Sequence, residues 1–163
     1  MKRLLILRHA KSSWADAALD DWQRPLNDRG RRDAPRVGEW LRRHAILPDL
    51  IISSDAVRAR TTAQAVALAA GYAREIVVDP SLYHAKLEDV LDVLNHVPDE
   101  PRTVLIVGHN PGLEDVIRQL TGEHYGLVTA ALVGLDVPID RWSALDCTSA
   151  ASMVESWEPR EGL

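Results

Sequence analysis

Residues 1–10, MKRLLILRHA, decide the fold: four apolar residues, Leu4 to Leu7, are halted by the pair Arg8-His9. A run of that length without polar alternation suits a strand buried on both faces, as in a parallel sheet. Residues 103–113, TVLIVGHNPGL, repeat the arrangement, with the β-branched and apolar run Thr103 to Val107 ending at Gly108-His109. Ligands of such sheets bind outside the carboxyl ends of the strands. Arg8, His9 and His109 are therefore expected to share one pocket, and arginine beside histidine is suited to phosphate.

Outward from these two strands the chain alternates strand and helix, which predicts an α/β domain with a mostly parallel central sheet. A polar, irregular stretch containing Trp14, Trp22 and Pro25 precedes a helix expected from about 28 to 44, with Ala34, Val37 and Leu41 on one face. Pro35 falls inside that pattern and is expected to kink the helix or mark its true start. Leu50-Ile51-Ile52 reads as a second strand, followed by Ser53, Ser54 or Asp55 as cap and an alanine-rich helix over 56–70 that stops at Gly71. Ile76 to Val78 is a weak third strand, and Leu87, Val90, Leu91 and Leu94 give an amphipathic helix ending near His96. After the strand at 103–107, Asn110 and Pro111 read as cap and first helical position, before the helical spacing of Leu113, Val116, Ile117 and Leu120. A strand over 130–135 and an antiparallel edge over 152–157 complete the pattern.

Composition narrows the function. The 163 residues predict a single domain over 1–163, and 46% hydrophobic with 26% charged residues is ordinary for a soluble globular chain. A net charge of -5 argues against a general nucleic-acid surface. The single cysteine, Cys147, cannot close an internal disulfide, which fits a reducing compartment. Lys2-Arg3 before a short apolar run is not a signal peptide, and no stretch approaches the ~18 apolar residues of a membrane span. A cytoplasmic protein with no membrane partner is expected.

Three local patterns carry the chemistry: LRHAKSSW at 7–14, SSDAVRARTTAQ at 53–64 and VGHNPGL at 107–113. Two of them open helices, whose unpaired N–H groups favour an anion. Arg58 and Arg60 lie roughly 200° apart around a helix, so one alone can face the pocket. His44, His96 and His124 have no comparable context and are read as surface residues. A cysteine phosphatase is excluded, because the residue six after Cys147 is Met153 rather than arginine. The sequence has no Gly-Lys-Ser/Thr phosphate loop, no His-Glu-x-x-His and no strand ending in paired aspartates.

Taken in order, Arg8-His9, Arg58-Ala59-x-x-Thr62 and Gly108-His109 resemble the histidine phosphatase superfamily, which has the phosphoglycerate mutase-like fold. The segment RPLNDRG at 24–30, Leu82-Tyr83 and GHNPGL resemble its phosphohistidine phosphatase branch, SixA. The resemblance covers residues 2 to about 135. It implies a three-layer α/β/α sandwich and a metal-independent phosphatase without cofactor. It also implies that His9 is the nucleophile, and that Arg8, Arg58 and His109 bind the transferred phosphoryl group. It selects Arg58 over Arg60. The position expected to carry a carboxylate acid in larger members falls on His84 in DPSLYHAKLED, with Glu88 and Asp89 on the polar face of the following helix. A missing carboxylate suits an imidazole leaving group, whose nitrogen is easily protonated, and points to a phosphohistidine protein as substrate, with a small phosphomonoester or mere phosphoprotein binding as alternatives. The short chain leaves little room for a lid. Trp14 and Trp22 lie beside the site, with packing on the protein's own helices as the expected role and contact with a partner as the alternative.

Overall fold

The computed structural model describes residues 1–160, and β1 (Lys2–Arg8) runs through its sheet between β4 (Thr103–Gly108) and β5 (Leu132–Val137). The full order of the six strands is β3-β2-β4-β1-β5-β6, where β2 is Leu50–Ser53, β3 is Ile76–Val78 and β6 is Ser152–Trp157. β1 to β4 are mutually parallel, whereas β5 and β6 add antiparallel pairs. α1 (Asp28–Arg43) and α2 (Val57–Ala70) cover one face, and α3 (Leu87–Asn95) and α4 (Gly112–Thr121) the other.

The unbroken apolar runs follow directly from this sandwich. Leu5 and Leu7 of β1, with Leu105 and Val107 of β4, pack on Ala34, Val37, Ala63 and Val66. Leu4, Ile6, Val104 and Ile106 point the other way, onto Val90, Leu94, Val116 and Ile117. Each fully buried Leu or Ile contributes about 1.5–3 kcal/mol. The alanines of α2 let α1 approach closely: a Cβ on Gly38 would lie 2.4 Å from the Val66 carbonyl oxygen.

Local punctuation differs from expectation in three places, and in a fourth, at Pro35, it decides between two alternatives. Pro35 lies inside α1, which starts at Asp28 with Asn27 as its cap, the Asn27 side chain accepting from Gly30 N. α2 is preceded by Ala56, and Ser54 Oγ accepts the Ala56 N–H rather than capping the helix interior. α4 begins at Gly112, with Pro111 as its N-terminal flank behind a cis Asn110-Pro111 bond. Asn110 therefore does not cap; its Nδ2 donates to Glu114 Oε1 and the Leu127 carbonyl. β5 starts at Leu132 because Ala130 adopts φ 62 and gives its N–H to the Arg8 and His9 carbonyls, which anchors the end of β1. Among the described residues no helix is long and apolar enough to cross a membrane.

Candidate active site

The register of β1 and β4 creates the site. Arg8 pairs with Gly108 across two parallel strands, so the residues that follow, His9 and His109, emerge side by side. Their ring centroids lie 5.1 Å apart. A cleft of about 430 Å³ opens at these carboxyl ends, lined by Arg8, His9, Arg58, His84 and His109, together with Arg24. The structure thus brings together all five residues singled out from the sequence. Arg60 turns away, its Nε donating to the Asp55 carbonyl. His44, His96 and His124 are exposed elsewhere.

His9 is buried and its tautomer is fixed. Its Nδ1 lies 2.8 Å from the Ala10 carbonyl, which can only accept, so Nδ1 carries the proton and Nε2 keeps its lone pair. Thr62 explains its place in the Arg58-Ala59-x-x-Thr62 pattern. Its hydroxyl accepts the Ala10 N–H at 3.0 Å and donates to the Arg58 carbonyl at 2.7 Å, tying the His9 strand end to the first turn of α2. Burial pushes the His9 pKa down to about 4, against the Ala10 hydrogen bond and helped by Arg58, Arg8 and Arg24. Burial, then His9 and Arg58, push His109 down to about 3. Both imidazoles are neutral at physiological pH.

The arginines present their donors in a fixed way. Arg8 Nη1 donates to the Leu127 carbonyl, while the buried Nε has no protein partner. Burial lowers the Arg8 pKa, opposed by Glu114. Arg58, 5% exposed, donates from Nη1 to the Asp21 carbonyl at 2.7 Å and from Nη2 to Asp21 Oδ2 at 3.0 Å. Its Nε is likewise buried without a protein partner. Two guanidiniums on the wall of one cleft match a multiply charged oxyanion. Of the two helix openings expected to face the anion, only α4 does, through Asn110, Pro111 and Gly112; α2 contributes Arg58 alone.

Sequence reasoning missed the group behind the arginines. The Asp21 carboxylate accepts from Arg58, from Arg24 Nε at 3.1 Å and from the Tyr83 hydroxyl at 2.6 Å. The Tyr83 hydrogen bond foremost, then Arg58 and Arg24, hold that carboxyl well below the usual range despite partial burial. Burial and Asp21 raise the Tyr83 pKa in turn. Arg24 also donates to Ser12 Oγ at 2.8 Å. It stands in the quoted RPLNDRG segment, which was the available signal; nothing in the sequence pointed to Asp21. Ser54 was noted only as a cap, yet its Oγ lies 2.8 Å from His109 Nε2.

His84 is exposed on the cleft with φ 54, its ring 3.9 Å from that of Tyr83. Glu88 and Asp89 are exposed on α3 and do not line the cleft, and Asp89 Oδ2 accepts the Lys86 N–H. Among the described residues Asp115 is the one carboxylate on the cleft wall. The tryptophans contradict the packing expectation. Trp14 is 74% exposed and lines the cleft, with the Arg24 guanidinium 3.5 Å from its ring centroid. Trp22 is exposed as well.

Comparison with known proteins agrees with this architecture. Residues 4–90 match the model of the histidine phosphatase superfamily, branch 1. An uncharacterised chloroplastic protein of Arabidopsis thaliana is 36% identical over 138 residues, covering 78% of this chain and 63% of that one. The chain thus spans somewhat under two thirds of the plant relative. An uncharacterised protein of Mycobacterium tuberculosis is 34% identical over 135 residues, 82% of this chain and 75% of that one. A solved structure from Agrobacterium tumefaciens, provisionally assigned as phosphohistidine phosphatase SixA, superposes with TM-score 0.83 at 30% identity, covering 97% of this chain and 98% of that one.

Proposed function

The chain belongs to the histidine phosphatase superfamily, branch 1, and on that premise we propose that it is a phosphohistidine phosphatase acting on protein substrates through a covalent intermediate on His9. The observation that carries the reading is the His9 ring itself. Its proton is committed to the Ala10 carbonyl, and its Nε2 lone pair faces the demands of a nucleophile in the neutral state.

In the first step Nε2 attacks phosphorus, the Nε2–P bond forms, and the P–N bond to the substrate imidazole breaks as that nitrogen takes a proton. In the second, water attacks the phosphoryl-His9, the P–Nε2 bond breaks and inorganic phosphate leaves. Phosphoryl transfer mainly needs alignment and stabilisation of charge on the equatorial oxygens. Arg8 and Arg58 supply two fixed positive charges on the cleft wall. His109 supplies a neutral imidazole beside the phosphoryl oxygens, its Nε2 paired with the Ser54 hydroxyl at 2.8 Å. No step requires a metal or cofactor. His84, which lines the cleft on the loop after β3, is assigned in this reading as the group that protonates the leaving atom. The absence of a carboxylate from that loop's share of the cleft wall among the described residues favours an easily protonated phosphoramidate over an alkyl phosphate.

Trapping tests this directly. Enzyme mixed with a radiolabelled phosphohistidine protein and quenched in alkali should carry acid-labile, alkali-stable phosphate on His9. His9→Ala should lose label and at least about a thousandfold in turnover, and Arg58→Ala on the order of a hundredfold. Near-normal activity in His9→Ala removes the mechanism. Affinity without label or turnover identifies a phosphoprotein-binding module, and equal turnover of aryl and sugar phosphates identifies a general phosphomonoesterase.

A further inference from the structure

The cleft has a rim that phosphate chemistry does not use. Trp14 is one of the largest apolar side chains of the protein and is three-quarters exposed at 74%, in a stretch where Ala15 to Ala18 are exposed too. It is not loose. One face of its ring is covered by the Arg24 guanidinium at 3.5 Å. Arg24 is 7% exposed and is held by Ser12 Oγ and Asp21 Oδ1, so the indole rests on a buried, immobilised cation with its other side in solvent. A rigid, pre-placed aromatic surface loses little freedom on binding and is the residue type that dominates protein interfaces. A side chain that served only to cover Arg24 would not need to lie so far outside the protein surface.

Charge gives the partner its chemistry. Lys11, on the loop after β1, and Lys86, on the loop before α3, are both exposed and line the same cleft as Trp14. Against them stands the single cleft carboxylate among the described residues, Asp115. On a chain of net charge -5 this is a local positive patch, and it surrounds the arginine floor. Individual exposed ion pairs contribute little, so the lysines orient a ligand while the indole provides contact area.

We propose that Trp14, Lys11 and Lys86 form a docking surface for an acidic polypeptide segment flanking the phosphorylated residue, with the indole as its aromatic anchor. The proposal rests on the phosphohistidine-protein reading and adds what surrounds the phosphorylated side chain. Three substrates separate the two: a short peptide with one N-phosphohistidine between aspartates and glutamates, the same peptide with lysine flanks, and free N-phosphohistidine. The wild-type protein should prefer the acidic peptide in kcat/KM by about tenfold over the other two. Trp14→Ala should lower kcat/KM for that peptide about tenfold, chiefly through KM, and by a clearly larger factor than for free phosphohistidine. Trp14→Phe should restore most of the loss. Lys11→Glu combined with Lys86→Glu should invert the preference between acidic and basic flanks. Equal losses on peptide and free amino acid in Trp14→Ala would mean that the indole only buttresses Arg24, and would overturn the docking surface, as would a wild-type protein indifferent to the flanks. A wild-type protein that turns over none of the three would remove the phosphohistidine reading and the docking surface with it.

Discussion

Asp21→Asn is the sharpest test of how the two buried guanidiniums are held. The carboxylate receives three donors, Arg58 Nη2 at 3.0 Å, Arg24 Nε at 3.1 Å and the Tyr83 hydroxyl at 2.6 Å. An asparagine keeps the backbone carbonyl that accepts Arg58 Nη1 and one side-chain oxygen, but it replaces the other acceptor with a donor and removes the charge. At least one of the three partners is then left facing an N–H. A charge-assisted bond contributes about 1.5–3 kcal/mol. The Asp21 side chain is 41% exposed, so water recovers part of that. A net loss of about 1–2 kcal/mol, or roughly 5- to 30-fold in kcat/KM, is expected. Because Arg58 Nη2 is one of the three partners, inhibition by inorganic phosphate should weaken as well. Because Asp21 stays ionised far below neutrality, the effect should be flat between pH 5 and 8. Tyr83→Phe acts on the same carboxylate and should be non-additive with Asp21→Asn. The measurements are kcat/KM on a phosphohistidine peptide, Ki for phosphate, and Tm as a control for folding. A well-folded Asp21→Asn within twofold of the wild type on the first two would refute the positioning role.

Protonation should cost stability in a defined window. His9 and His109 are neutral in the fold, with pKa near 4 and 3, but take up protons near pH 6.5 when unfolded. The neutral rings' contribution is complete above about pH 6.5 and is lost as pH falls toward 4, by about 2 kcal/mol per ring at pH 5. Urea midpoints should therefore drop between pH 7 and 5, and His9→Ala should flatten that slope; a midpoint that rises on acidification contradicts the burial argument. Gly112→Ala would set a Cβ 2.3 Å from the Ala85 carbonyl oxygen, forcing α4 from the His84 loop. It should cost about 1–3 kcal/mol by thermal melting and lower activity, whereas Gly126→Ala, with open space around it, should do neither. His84→Gln should depress turnover of aryl phosphates with poor leaving groups by about a hundredfold and phosphohistidine far less; equal losses would remove His84 as proton donor. Prolonged treatment with a chelator should leave kcat within about twofold, because the two guanidiniums supply the charge.

The parts of this site legible in the sequence are those imposed by repetitive structure. Two apolar runs ending in Arg8-His9 and Gly108-His109 implied buried parallel strands, and the carboxyl-end rule then placed both histidines together before any register was known. Arg58 was separable from Arg60 by helix geometry and resemblance. What escaped lies where no period constrains the chain. Asp21 reaches Arg58 from a short turn at 21–23 across 37 positions, and neither residue announces the pair. The cap at Asn110 was misread for a related reason: a polar residue before proline is a usual helix start, but the tertiary pull of Glu114 and Leu127 on its amide outweighed the local preference. Trp14 was expected to pack inward because large aromatics usually do; instead it stands at the cleft rim with one face on the Arg24 guanidinium.

Placing the rings side by side on adjacent strand ends has an electrostatic consequence. Burial above all keeps both imidazoles unprotonated, and with centroids 5.1 Å apart beside two arginines charge repulsion adds to the penalty. The floor of the site is thus cationic through its guanidiniums, with Lys11 and Lys86 on the rim, while the histidines remain uncharged and differ in their hydrogen bonds. The carbonyl of Ala10 forces the proton of His9 onto Nδ1 and leaves Nε2 for attack, whereas the Ser54 hydroxyl, able to donate or accept, pairs with His109 Nε2 in either tautomer. An acceptor-only carbonyl on His9 and a two-way hydroxyl on His109 therefore distinguish the ring committed to attack from its neighbour. Removing the hydroxyl in Ser54→Ala would take away the partner of His109 Nε2 while leaving the Ala10 bond of His9 intact, so the chemistry of the two rings is separable even though their strands are neighbours.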